Sequence, residues 1–260
     1  WKSLSDKLKF EKARKLVTNI DAIRENYHSD WVKDYEVQAN KLIVERSCAL
    51  YLIDILALRV GGEKNDDEAD TVGCCSLRKE HVTFIPADPA NAQGLPDAVD
   101  DHHKADVPHR MDRIHLNFLG KDSMVFDDCC KLPKVVYKQM KKMHAGRVIK
   151  GQKETEQMFP NLSPQNMNNY LNGLQEGGLT AKVFRTYNAS FLQDKLLEDG
   201  PSGGYGAIKG DTARLVEFFN LVNRDVAILC NHQKAAAGNL GEQVRREDDN
   251  SSFASSHSSS

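Results

Sequence analysis

GGLTAKVFRTYNAS, residues 177–190, reads as a helix stop followed by a helix start, with two glycines and then Thr180 ahead of a run with helical spacing. In the helix this predicts over 180–198, Phe184, Tyr187 and Phe191 share one face. Lys182 and Arg185 lie beside those aromatics, and Arg185 stands in line with Ala181, Ala189 and Leu192. A guanidinium bordering an apolar stripe is costly to bury unless an anion meets it. That anion is either an Asp or Glu of this chain or a group from outside.

Outward from this helix the pattern stays mostly helical. Phe10, Ala13, Leu16, Val17, Ile20 and Ile23 form a helical stripe over 9–27. Residues 31–60 continue at the same period through Leu42, Ile43, Leu50, Ile53, Leu56, Ala57 and Val60. Gly61-Gly62 is expected to end that helix, which would place Arg59 in its final turn. HVTFI (81–85) and RIHLNF (113–118) alternate and predict strands. Between them, residues 86–112 are rich in Pro, Ala, Asp and His and predict an exposed, mobile inserted loop. In FLGKDSMVF, 118–126, Gly120-Lys121-Asp122-Ser123 makes a hairpin tip between apolar flanks. Ser163-Pro164 opens another helix, with Met167, Tyr170, Leu171 and Leu174 inward. A Gly-rich linker over 200–210 leads to a last helix from Asp211 or Thr212 to about Asn231, with His232 at its end. Its stripe is Leu215, Phe218, Phe219, Val222, Val226 and Leu229. The fold class is mainly α with a small antiparallel sheet, an α+β arrangement over 1–238. A charged, then Ser-rich tail over 239–260 is expected to be disordered.

Bulk properties narrow the class without naming a function. The 260 residues suit one sizeable domain or two small ones, and 40% hydrophobic residues support a true core. A net charge of −2 gives no global basic signature, and nucleic-acid binding needs only a local basic face. The six cysteines show no C-x-x-C spacing and include two adjacent pairs, which argues against a secreted disulfide framework. They read as reduced thiols of a cytosolic or nuclear protein. No apolar run reaches the roughly 18 residues a membrane span needs. With Trp1 at its head and no signal peptide, the chain is expected to be an excised piece.

Taken singly, the polar candidates have ordinary readings. Arg59 and Arg185 could snorkel over the core, Lys121 could be a turn lysine, and His232 a structural histidine. As a set they are two arginines, a lysine and a histidine, all at element ends or turns, where functional groups tend to be mounted. No metal is expected, because His102, His103, His109 and His115 lack fixed spacing. Asp66, Asp67, Glu68 and Asp70 lack the ligand alternation and central glycine of a calcium loop. GYGAIKG does not satisfy a dinucleotide fingerprint.

Four blocks, LALRVGGEKNDDEADTVGCCSLR (56–78), FLGKDS (118–123), GLTAKVFRTYNAS (178–190) and AILCNHQK (227–234), resemble the catalytic core of eukaryotic type IB DNA topoisomerases. They occur in the family's order, and the resemblance runs from Trp1 to about residue 236. It implies a fold like that of the tyrosine recombinase and type IB topoisomerase catalytic core. It also implies a pocket in which Arg59, Lys121, Arg185 and His232 surround one DNA phosphate. Lys64, Thr71, Asn168, Lys182 and Asn231 match contacts to the DNA backbone or supports of that pocket. Asp122 matches the position where camptothecin-type poisons bind. A tyrosine recombinase is the weaker match, because Lys234 and Ala235 follow where a His-x-x-Arg pairing would be.

The chemistry so implied is attack of a tyrosine on a phosphodiester, rotation of the freed strand, and religation. Fixed guanidinium forks would meet the charge that develops on phosphorus, and Lys121 would protonate the 5′ leaving oxygen. Neither cofactor nor metal is implied. The implied partners are double-stranded DNA, an N-terminal cap domain, and a C-terminal tyrosine-bearing domain or small subunit, since no tyrosine follows His232. The small-subunit arrangement is similar to that of kinetoplastid parasites. The implied compartment is the nucleus. The alternative is a module that grips duplex DNA without cutting it.

Overall fold

Helix α1, Lys2–Asp30, buries Ala13, Leu16, Ile20, Ile23 and Tyr27, alternate steps of three and four residues that keep one stripe inward. The structure, a computed structural model, describes residues 2–62, 71–86, 112–146, 156–175 and 178–231, with the backbone alone for 2–6 and Asp122. The expected tail over 239–260 and all but the ends of the expected loop over 86–112 lie outside the described residues.

Helix α2, Lys41–Leu56, is buried over 12 of its 16 residues and forms the centre of the fold. A helix this apolar must be covered on all sides. Its two buried carboxylates are both answered by donors, as burial of charge requires. Asp54 accepts from Arg24 Nε at 2.8 Å and from Tyr27 Oη at 2.9 Å. Glu45 accepts from Tyr35 Oη at 2.8 Å and from the backbone N–H of Asn161 at 2.7 Å.

Helix α2 is shorter than its apolar run suggested. It stops at Leu56, and Ala57 turns left-handed at φ 49°. Residues 57–62 then run without helix, so Arg59 stands on an irregular exit segment and not in a helical turn.

Strands β1 (Val82–Ile85), β2 (Arg113–Leu119) and β3 (Val125–Lys131) form an antiparallel sheet in that order. Val82 pairs with Leu116, and Phe118 pairs with Phe126. Ile114, Leu116 and Phe118 alternate inward, the period-two signature of a one-sided sheet. The β2–β3 turn is a single 3₁₀ turn, Lys121–Ser123, so the hairpin tip falls where expected.

Helix α3, Lys134–Ala145, was not anticipated; Val136, Tyr137, Met140 and Met143 are its buried side. Helix α4, Pro164–Gly173, is capped by Ser163, whose Oγ accepts from the N–H of Asn166 at 3.1 Å. Helix α5, Ala181–Asp199, is the helix that the opening stretch predicts. It buries Phe184 completely, leaves Tyr187 half-buried, and turns Phe191 outward, stacked on Tyr187 at 6.0 Å.

Helix α6, Thr212–Leu229, begins at the Asp211 cap. The apolar stripe read from the sequence stays largely outside the core. Val222 alone of its residues is buried, while Leu215, Phe219 and Ile228 are exposed. The helix lies chiefly along α5, and among the described residues no second layer covers its outer side. All six cysteines are buried and unbridged. No described helix is long and apolar enough to cross a membrane.

Candidate nucleic-acid interface

Three segments distant in sequence are tied by backbone bonds. The carbonyls of Arg59 and Val60 accept the N–H groups of Cys74 at 2.8 Å and Cys75 at 2.9 Å. Two residues before Cys74, the N–H of Val72 donates to the carbonyl of Leu119 at 2.6 Å. The stretch from Val72 to Cys75 therefore joins the exit segment of α2 to the hairpin that carries Lys121. Gly73 makes this possible, because a Cβ there would collide with the backbone of Gly61 at 2.3 Å.

The N-terminus of α5 completes the site. Arg59, Lys121, Lys182 and Arg185 line one cavity of about 550 Å³, together with Thr71 and Asn168. No carboxylate is among the described residues that line it. Four cations beside the first turn of a helix, where unpaired N–H groups point outward, form an electrostatic trap for anions. A second, smaller hollow of about 30 Å³ is bordered by Arg59, Lys121, Arg185, Cys230 and Asn231.

Arg185 has a role that its place in the sequence did not disclose. Its Nη1 donates to the carbonyl of Ala57 at 2.5 Å and its Nη2 to the carbonyl of Cys230 at 2.8 Å. Both of these acceptors are backbone carbonyls, at the ends of α2 and α6. Burial lowers the pKa of Arg185, and the neighbouring charge of Arg59 lowers it further. A guanidinium stays protonated regardless, so the site keeps its charge.

Backbone strain is concentrated here. Among the described residues, three non-glycines adopt positive φ: Ala57 at 49°, Ser123 at 56° and Asn231 at 47°. They flank Arg59, Lys121 and His232 respectively in the chain. Left-handed backbone on such residues costs roughly 1–3 kcal/mol each and persists where the surroundings over-determine it.

Of the residues singled out in the sequence, Arg59, Thr71, Lys121, Asn168, Lys182 and Arg185 meet at one cavity, and Asn231 adjoins it. Lys64 and His232 lie outside the described residues, as does the side chain of Asp122. Gly73 and Ala57 were missed. Gly73 lies in the GCCS stretch and could have been suspected as a close-approach glycine. Ala57 carries no sequence signal for a left-handed turn. Among the described residues no group of three or more His, Cys, Asp and Glu side chains is placed to hold a metal.

A family model described as the catalytic core of eukaryotic DNA topoisomerase I matches residues 1–258. The chain is similar to DNA topoisomerase 1 of Schizosaccharomyces pombe, 39% identical over 247 residues, covering 94% of this chain and 25% of that protein. It is similar to DNA topoisomerase 1 alpha of Arabidopsis thaliana, 36% identical over 245 residues, covering 94% of this chain and 22% of that protein. It is also similar to a Homo sapiens protein named DNA topoisomerase I, mitochondrial, 39% identical over 239 residues, covering 91% of this chain and 34% of that protein. The chain thus spans about a quarter of the length of the first two relatives.

Proposed function

The chain belongs to the eukaryotic DNA topoisomerase I catalytic-core family, and from that premise we propose that it supplies the phosphate-binding half of a type IB DNA-relaxing site. The observation that carries this reading is the meeting of Arg59, Lys121, Lys182 and Arg185 around one cavity. The bound group is a phosphodiester of duplex DNA. A tyrosine hydroxyl attacks phosphorus, a 3′-phosphotyrosine forms, and the 5′ oxygen leaves with a proton. Phosphodiester energy is conserved, so the cycle uses neither ATP nor a metal.

Within it, Arg59 and Arg185 stabilise the charge gained by the equatorial oxygens. Donors fixed before reaction are the largest catalytic contribution, and loss of one costs about 3–4 kcal/mol. Lys121, exposed on its tight turn, reaches the leaving oxygen as general acid. Asn231 borders the small hollow beside the cavity, and His232, next in the chain, donates to a non-bridging oxygen. Lys182, Lys64, Thr71, Asn168 and Asn231 hold the flanking backbone, with Asp122 beside the cleaved step. Contacts of this kind read phosphates and little sequence.

The attacking hydroxyl comes from outside these residues. All seven tyrosines of the chain lie in described segments, and none lines the cavity. Tyr205, the most exposed, donates its hydroxyl to the carbonyl of Leu197 at 2.6 Å. A tyrosine-bearing segment therefore approaches the cavity, in the same polypeptide or as a small subunit, while a cap domain closes the other side of the duplex. The reading treats 1–238 as one catalytic core subdomain of recombinase-like fold, working in the nucleus.

The test is a nicked suicide duplex incubated with this chain and a tyrosine-bearing segment in trans. A covalent DNA adduct, absent with Arg185→Ala, is the expected result. Duplex binding without adduct would instead identify a gripping module that does not cut. A substrate with sulfur at the 5′ bridging position tests Lys121, because thiolate departs without a proton. Failure of that substrate to rescue Lys121→Ala would remove the lysine from the acid role.

A further inference from the structure

Beneath the cavity, the last turn of α2 is held by a polar node that the reaction itself does not use. Because α2 stops at Leu56, the carbonyl of Asp54 is one of the last four without an intrahelical partner. Asn188, on α5, donates its side-chain N–H to that carbonyl. The carboxylate of the same Asp54 accepts from Arg24 Nε at 2.8 Å, from Arg24 Nη2 at 3.2 Å and from Tyr27 Oη at 2.9 Å. Asp54 is 2% exposed and Asn188 7%. One buried residue is thus gripped by α1 through its side chain and by α5 through its backbone. It sits just ahead of Ala57, where the chain turns left-handed toward Arg59.

The two α5 side chains act on consecutive points of the same exit. Asn188 takes the Asp54 carbonyl, and Arg185 takes the Ala57 carbonyl at 2.5 Å. Together they decide where the helix ends, and hence where Arg59 begins. A left-handed alanine has no intrinsic reason to form. It forms here because the carbonyls on either side of the break have donors waiting on α5.

We propose that Asn188 is a positioning residue for Arg59: by capping α2 at Asp54 it fixes the exit segment that carries the arginine to the phosphate. The proposal rests on the reading of the cavity as a strand-cleaving site. Asn188 touches no DNA in this scheme, so its loss should slow the chemical step without weakening the grip on the duplex.

The experiment compares wild type, Asn188→Ala and Asn188→Asp, each with the tyrosine-bearing segment, in single-turnover cleavage of the suicide duplex. Duplex affinity and the melting curve are measured alongside. Cleavage by both variants should fall between about ten- and a hundredfold, the cost of a small misplacement at a reacting centre. Duplex affinity should stay within about twofold. Asn188→Asp adds a signature. Ionised, it has no donor for the Asp54 carbonyl; protonated, it regains an O–H. The Asp54 carboxylate from α2 holds that proton on, while Arg24 of α1 opposes it; among the described residues Asp21 and Tyr27 of α1 and Tyr187 of α5 also bear on this group. The rate of Asn188→Asp relative to wild type should therefore rise as pH falls, while that of Asn188→Ala stays level. Both variants cleaving at the wild-type rate would overturn the positioning role alone. Cleavage lost in step with duplex affinity and a cooperative melt would make Asn188 a fold-stabilising residue and also overturn it. No adduct even from wild type would overturn the underlying reading of the cavity, and this inference with it.

Discussion

Gly73 lies against Gly61 so closely that a Cβ on Gly73 would come within 2.3 Å of both Cα and N of Gly61. Neither contact can be relieved by a side-chain rotation, because both atoms are backbone. Gly73→Ala should therefore force the two segments apart and break the bonds from Cys74 and Cys75 to Arg59 and Val60. At about 0.5–1.5 kcal/mol net for each bond, the expected loss is about 1–3 kcal/mol before strain is counted. Gly62→Ala is the control, since a Cβ at Gly62 meets nothing within 4 Å. Urea denaturation should show a large drop for Gly73→Ala and almost none for Gly62→Ala. Equal midpoints would refute the close approach.

Arg185→Lys tests whether the arginine matters as a fork or as a charge. A lysine keeps one positive charge but cannot hold the carbonyls of Ala57 and Cys230 in the same planar geometry. Cleavage of the suicide duplex should fall on the order of a hundredfold or more. The end of α6 should loosen as well, read as faster amide exchange over 226–231. Exchange unchanged from wild type would mean that the clasp is not what orders this turn.

How much of this could be read in the chain varies with the physical signal involved. Helices α4 and α5 were legible because caps and 3.6-residue periodicity agree there. Helix α3 was not, because its lysines dilute the stripe of Val136, Tyr137, Met140 and Met143. The end of α2 was misplaced for a different reason. Its apolar run continues through Leu58 and Val60, and the true stop at Ala57 depends on donors from α5, more than a hundred residues on. The grouping of Arg59, Lys121 and Arg185 came from resemblance, since spacing alone cannot bring three separate elements together. Helix α6 shows a further limit: periodicity tells which side of a helix is apolar, not whether anything covers it.

The contrast between α5 and α6 predicts two very different phenylalanines. Phe184 is fully buried, and Phe184→Ala should cost about 3–5 kcal/mol through lost transfer energy and the cavity left behind. Phe219, on the apolar stripe read from the sequence, is 47% exposed. Phe219→Ala in this chain should stay within about 0.5 kcal/mol of wild type, as surface changes usually do. Chemical denaturation of the two variants side by side decides it. A Phe219→Ala cost comparable with that of Phe184→Ala would mean that α6 packs inward after all.

Glu45 should give the fold a pH dependence of definite sign. Burial raises its pKa above 4.5, while donors from Asn161 and Tyr35 pull it back without cancelling the shift. A carboxyl whose folded pKa is raised prefers its proton in the native state. Its stabilising contribution is therefore complete below the unfolded value and declines as pH climbs through the folded one. Glu45→Gln stays neutral throughout, but its single carbonyl cannot accept all that the carboxylate accepts from Asn161 and Tyr35. The variant should be less stable at low pH, and the gap should narrow as pH rises from about 4.5. Urea midpoints for both proteins between about pH 4 and 7 measure this directly. A gap that widens with pH would show that the ionised form is the one that the site prefers, with the hydrogen bonds outweighing desolvation.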